Sequence, residues 1–129
     1  QSGKYLIRAV TSNSTPTELF LDGAGATERL VLADDSTWTF TITATAHRTD
    51  TGTDHAGYRI EGVIYRRNGV ATTSFQGSPI YTIVAESDPS WDINITSDVT
   101  FGGLRVFVTG QSGKIVRWVA LVETVEVTN

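Results

Sequence analysis

A chain of 129 residues with no long polar or low-complexity interruption is expected to form one domain, residues 1–129, burying roughly two-thirds of its unfolded surface. The absence of cysteine removes disulfides, thiol nucleophiles and cysteine-held metals together. A net charge of −4 and a pI near 5.0 offer no general attraction for phosphate backbones or anionic lipid, and no apolar run reaches the length of a membrane span. Neither nucleic acid nor membrane insertion is expected. The chain starts at Gln1 and contains no methionine, which predicts a processed product or a module of a longer protein.

Threonine is the commonest residue and valine the next, and branched side chains suit a pleated, half-buried surface. Lys4 to Val10 is the first predicted strand, ended by the turn-rich Ser12 to Pro16. Glu18 to Asp22 reads as a short strand, and Gly23 to Thr27 as a connector, since no helix follows to make it a phosphate loop. Arg29 to Leu32 is expected to join the next strand through a hairpin turn at Ala33-Asp34-Asp35. In Ser36 to Arg48, Trp38, Phe40, Ile42, Ala44 and Ala46 alternate with threonines, so one face meets a core and the other presents a threonine row. His47 to Gly57 is the longest polar interruption and predicts an exposed loop.

Tyr58 to Arg67 is a strand with Tyr58, Ile60, Gly62 and Ile64 on one face. Asn68-Gly69 is a strong hairpin signal, so Val70 to Phe75 should pair straight back. Ile80 to Ala85 starts a strand after Pro79, where proline costs no ladder bond. Trp91 to Thr96 and Leu104 to Thr109 should form a hairpin, and Gly110 to Lys114 a tight turn. Ile115 to Val127 is apolar on both faces, which marks a central strand or one whose second face a partner covers. The sum is an all-β, antiparallel β-sandwich, jelly-roll-like, of about nine or ten strands.

Asp50-Thr51-Gly52 spells the triplet of aspartic proteases, but His47-Arg48-Thr49 precedes it instead of a buried apolar strand, so a solvated turn is the expectation. His47, Asp50, Asp54 and His55 offer imidazole and carboxylate groups at a spacing that matches no established metal site, so no metal or other cofactor is assigned. The carboxylate pairs Asp34-Asp35, Glu86 with Asp88 and Glu123 with Glu126 lie at turns or alternate on strands, where acidic residues normally meet water. No Gly-x-Ser-x-Gly elbow occurs, and neither histidine has a serine partner in a recognisable motif, so no catalytic residue is assigned and the chain reads as a non-enzyme. Trp38, Trp91 and Trp118 are assigned to the core rather than to sugar stacking. Arg66-Arg67 reads as a charged hairpin end that discourages edge pairing.

Several segments in order, Thr15 to Gly23 (TPTELFLDG), Arg29 to Phe40 (RLVLADDSTWTF), Tyr58 to Arg66 (YRIEGVIYR), Gly77-Ser78-Pro79, and Trp91 to Glu126, resemble a β-rich domain of bacteriophage and prophage tail or tail-fibre structural proteins. The resemblance implies an extracellular virion module that is structural or receptor-facing in host adhesion, with no catalytic residues to transfer. It also implies self-association, commonly as a homotrimer, or contact with other virion proteins. Two alternatives stand beside it. One is a carbohydrate-binding module, contacting a host cell-surface glycan through His47, Arg48, Asp50, Asp54 and His55 or through Tyr65 and Tyr81; the other is an accessory domain of a tail-associated depolymerase.

Overall fold

A computed structural model of the chain describes residues 1–21 and 28–129. Ten strands appear among them: β1 (Ser2–Thr11), β2 (Thr17–Glu18), β3 (Leu30–Val31), β4 (Ser36–Arg48), β5 (His55–Arg66), β6 (Ser74–Phe75), β7 (Ile80–Glu86), β8 (Asp92–Asp98), β9 (Gly103–Thr109) and β10 (Val116–Thr128). They form an antiparallel β-sandwich. A six-stranded sheet runs β1-β10-β4-β5, with β6 and β7 sharing the outer edge of β5; in a four-stranded sheet, β9 carries β2 and β3 on one side and β8 on the other. The connector expected at Gly23 to Thr27 lies outside the described residues.

The period of two explains the larger sheet. β4 and β10 bury every second residue, so Trp38, Phe40, Ile42, Ala44 and Ala46 lie beside Val116, Trp118, Ala120 and Val122 on the inner face. Leu30, Leu32, Ile93, Ile95, Leu104, Val106 and Val108 close over them from the smaller sheet. Each Val, Leu, Ile or Phe side chain among them contributes about 1.5–3 kcal/mol by its withdrawal from water. At the core centre the Trp118 ring lies 5.8 Å from Trp91 and 6.3 Å from Tyr58, and its Nε1 donates to Thr11 Oγ1 at 2.9 Å. All three tryptophans are buried, as the alternation predicts.

Gly62 stands opposite Phe40 on the neighbouring strand, and a Cβ there would press on the Phe40 ring at 2.8 Å. Gly62→Val should therefore cost about 1–3 kcal/mol, read as a lowered urea midpoint with an unchanged slope.

β10 is central, between β1 and β4, and its odd positions face outward. Near its C-terminal end two polar residues face inward, Thr124 and Glu126. Their hydrogen bond to each other, and the one that Tyr5 Oη donates to Glu126 Oε2 at 3.1 Å, satisfy them there.

Three expected turns differ. β3 and β4 belong to different sheets, so Ala33-Asp34-Asp35 is a crossover rather than a hairpin; Asp35 has φ of 58°, and Ser36 Oγ donates to the Ala33 carbonyl at 2.6 Å. Asn68-Gly69 does not return the chain directly. Thr72 Oγ1 accepts from the amides of Arg67 (2.9 Å) and Asn68 (3.2 Å) and donates to the Gly69 carbonyl (2.9 Å), which winds Val70–Thr72 into a 3₁₀ turn and delays pairing to Ser74–Phe75. The polar interruption after β4 is also shorter than expected, because the ladder runs on until His47 faces His55.

Backbone hydrogen bonds stitch the two sheets along the β1 side. Leu19 N donates to the Val106 carbonyl at 2.9 Å, while Phe20 exchanges backbone bonds of 3.0 and 3.3 Å with Arg8 on β1. On the opposite side β7 extends past the cover of the smaller sheet. Ile83 sits beside buried Tyr58 in the ladder yet is 61% exposed.

Candidate functional site

Three connections meet at one end of the sandwich: the loop between β4 and β5, the residues after β7, and the turn before β10. The first is tied to the last by Thr49 N donating to the Ile115 carbonyl at 2.8 Å and by Ile115 N donating to Asp50 Oδ2 at 3.2 Å. The first is tied to the second by Ser87, whose N (3.0 Å) and Oγ (2.9 Å) donate to the His55 carbonyl and whose Oγ accepts from His55 N (3.0 Å).

The charges at this end are arranged as a chain of alternating sign. Arg48 Nε pairs with Asp50 Oδ1, and Arg48 Nη1 with Asp54 Oδ2 at 2.9 Å. Lys114 Nζ lies 3.1 Å from Asp54 Oδ2 and 3.7 Å from Asp88 Oδ2. The Arg48 guanidinium holds the Asp50 carboxyl below its ordinary value of 3.8, helped by the amides of Ile115 and Gly52; Arg48 and then Lys114 do the same for Asp54. Asp88 is lowered by the backbone amide of Ser90, then by its hydroxyl. The glycine of the Asp-Thr-Gly triplet makes room for this, because a side chain at Gly52 would collide with the Arg48 guanidinium. The triplet is thus an ion-paired turn. Carboxylates held ionised this way are poor proton donors near neutral pH.

Their pKa values are lowered on folding, so they contribute stability that is fully present above the ordinary carboxylate range and is lost as the pH falls through the lower folded values. The protection of the Gly52 and Ile115 amides, taken relative to the intrinsic exchange rate at each pH, should fall below about pH 4, ahead of that of the amides of β4 and β10. Equal protection at pH 6 and pH 3 would contradict this.

The seven residues singled out from the sequence do not form one site. His47, Arg48, Asp50, Asp54 and His55 share this end, with the two imidazoles stacked across the strands at 6.4 Å between ring centres. Tyr65 lies at the far end of β5, roughly 33 Å away for ten residues of strand. There Asp35, Ser36, Thr37, Arg66, Arg67 and the segment Val127 to Asn129 surround an open hollow of about 470 Å³ with it. Tyr81 sits on β7, and its hydroxyl donates to Asn94 Oδ1 at 3.0 Å and accepts from Ile95 N at 3.1 Å.

Several partners were not read from the sequence. Glu86 and Asp88 do not simply meet water, since Glu86 accepts from Tyr58 Oη at 2.8 Å and Asp88 faces Lys114. Burial first, then that bond to Glu86, raises the Tyr58 phenol well above its ordinary range. Asp34 and Asp35 also have protein partners: Asp34 Oδ1 accepts from Gly69 N at 2.8 Å, and Asp35 Oδ1 pairs with Arg67 at 3.0 Å. Arg66 is more than a charged strand end, because its Nη1 donates to the Leu32 carbonyl at 2.8 Å and ties the two sheets. Nothing local in the sequence announces Lys114 as the partner of Asp54; the contact exists only once β10 lies against β4. Among the described residues no group of three or more His, Cys, Asp or Glu side chains is placed to hold a metal ion, and no helix is long and apolar enough to cross a membrane.

No protein-family model matches the chain, and no curated protein matches it at a significant level. The functional reading therefore rests on the residues, their geometry and the resemblance they carry.

Proposed function

We propose that this domain is a structural module of a phage tail or tail fibre, non-enzymatic and acting through its surfaces, with a receptor-facing role in host adhesion as the finer possibility. The observation that carries the reading is the outer face of the larger sheet. There Leu6 (51% exposed), Val119, Leu121, Val125 (65%) and Val127 (71%) lie beside the threonine row of β4. Lys4, Arg8, Arg117 and Glu123 share this mixed face, and the apolar residues left outward among them support a contact surface. On this reading the partners are further copies of the chain, a homotrimer in the fibre arrangement, or neighbouring virion proteins, and the module works outside the cell. The loop carboxylates support it by being committed to Arg48 and Lys114 rather than free for chemistry.

Light scattering across a wide concentration range tests it. A mass of three times 14.0 kDa, lost on Val125→Lys, is the expected result. A wild-type chain that stays monomeric at every concentration, or an association indifferent to Val125→Lys, would remove the face as a self-contact.

A second reading, glycan binding, is favoured by the hollow around Tyr65, where an exposed Arg67 and the hydroxyls of Thr37 and Thr128 surround a volume suited to a small polar ligand. In a glycan screen, a hit weakened at least tenfold by Tyr65→Ala, about 1.4 kcal/mol, would establish it; a blank screen leaves the structural reading alone. For the depolymerase-accessory reading, turnover of host polysaccharide by the purified chain would be the supporting result.

A further inference from the structure

The free edge of β7 differs from the other strand edges of the sandwich. Edge strands are normally blunted by charge, proline, bulges or side-chain caps. β8 is capped: Ile93 N donates to Asp92 Oδ1 at 2.9 Å, and Ile95 N to the Tyr81 hydroxyl at 3.1 Å. β1 is bridged at Arg8 by Phe20. β7 carries no charge from Ile80 to Ala85, and Ile80 (65% exposed), Tyr81, Ile83 and Val84 (68%) are open to water on both faces.

The ladder indicates which backbone groups are free. Ser87 N donates to the His55 carbonyl and Gln76 N to the Val63 carbonyl, so the odd residues of β5 point their backbone groups toward this edge. Ile80 and Thr82, opposite Glu61 and Arg59, therefore turn inward to β5, and Tyr81 and Ile83 turn their amides and carbonyls outward. None of the turn, loop or side-chain hydrogen bonds among the described residues reaches those two amides. The one irregularity, a register shift at Gly57/Tyr58, falls beyond Ile83 and leaves Ile80 to Ile83 regular.

We infer that this edge pairs antiparallel with the same edge of a second copy of the chain, about a dyad at Thr82. The strand is complementary to itself in that register. Tyr81 of one copy faces Ile83 of the other, twice, with both side chains on the same face and both residues offering outward backbone groups; Thr82 faces Thr82. No charged residue meets another, since Ile80 to Ala85 carries none. Aromatic and β-branched residues are favourable cross-strand neighbours. The Tyr81 ring is already held by its bonds to Asn94 and Ile95, so pairing does not have to order it. A two-fold contact of this kind is closed. The inference goes beyond the virion reading and holds for the isolated domain whatever particle it serves.

The test uses a single introduced thiol in a chain that has none. Thr82 and its copy would form a non-hydrogen-bonded antiparallel pair with Cα atoms about 4.5 Å apart, inside the span a disulfide bridges. Thr82→Cys should oxidise to a covalent dimer much faster than Ser112→Cys, an exposed position in the turn before β10. In Val125→Lys, which lacks the trimer contact proposed above, the mass should rise from 14.0 kDa toward twice that value with concentration, while the double variant with Ile83→Lys stays at 14.0 kDa. Both changed side chains are exposed, and an unaltered melting curve shows that the variants fold. Cross-linking of Thr82→Cys no faster than the control overturns the inference. So does a three-chain assembly unaffected by Ile83→Lys, which would leave the tail-fibre reading standing and remove only this contact.

Discussion

Trp118→Ala is expected to destabilise the domain by about 3–5 kcal/mol, a large part of the stability of a chain this size. The indole is fully buried and touches three things that do not move together: Trp91 from the smaller sheet, Tyr58 from β5 and Thr11 from β1. Truncation leaves a cavity between the sheets and strips Thr11 Oγ1, itself buried, of its donor. Trp118→Phe should recover most of the packing but not the hydrogen bond, and so lie about 1–2 kcal/mol below wild type. Urea unfolding followed by tryptophan fluorescence from the remaining Trp38 and Trp91 measures both. A loss under 1 kcal/mol for the alanine variant would mean that the sheets collapse into the space.

Gly103→Ala is expected to be nearly as damaging, roughly 3 kcal/mol, for a different reason. The backbone of β3 crosses so close to Gly103 that a Cβ would collide with the Leu30 carbonyl oxygen, and a main-chain atom cannot rotate out of the way. The strand would have to lift from β9, withdrawing Leu30 and Leu32 from the core and disturbing the bond from Leu32 N to the Gly102 carbonyl at 2.9 Å. Amide exchange should show Leu32 exposed while β4 and β10 stay protected. Gly113→Ala is the control, since that turn glycine has φ of +79° but open space around it, and should cost only about 1 kcal/mol.

What could be read from the sequence was what depends on neighbours along the chain. The alternation in Ser36 to Arg48 identified one long strand and its inner face, because a side-chain period of two is local; Ile115 to Val127, apolar on both faces, was legible as a long central strand but not as to which face turns inward. The hairpin of β8 and β9 followed from two alternating runs around one turn. Sheet membership was not legible in the same way. β3 precedes β4 by a few residues yet pairs with β9, a choice made by where Leu30 and Leu32 find a core. The Asn68-Gly69 signal was outweighed by one hydroxyl, that of Thr72, which satisfied two amides and held the loop open. The polar loop was legible as a connection between two long strands, but β4 and β5 take up its two ends, and its charges are half-buried and matched by Lys114 and by the Ile115 amide. β7 was the subtlest case. The strand itself was legible after Pro79, but not that the fold leaves its apolar residues bare on both faces.

The pairing of β1 with β10 has a mechanical consequence. Ser2 faces Val125, and Glu126 N donates to the Gln1 carbonyl at 2.7 Å, so the first and last strands start and finish side by side at one end of the sandwich. Tension applied between Gln1 and Thr128 would not travel through the hydrophobic interior. It would peel β1 away rung by rung, loading each backbone bond singly along its own direction. A domain pulled by these two adjacent ends would open like a zip, yielding to a small force one rung at a time instead of resisting as a whole.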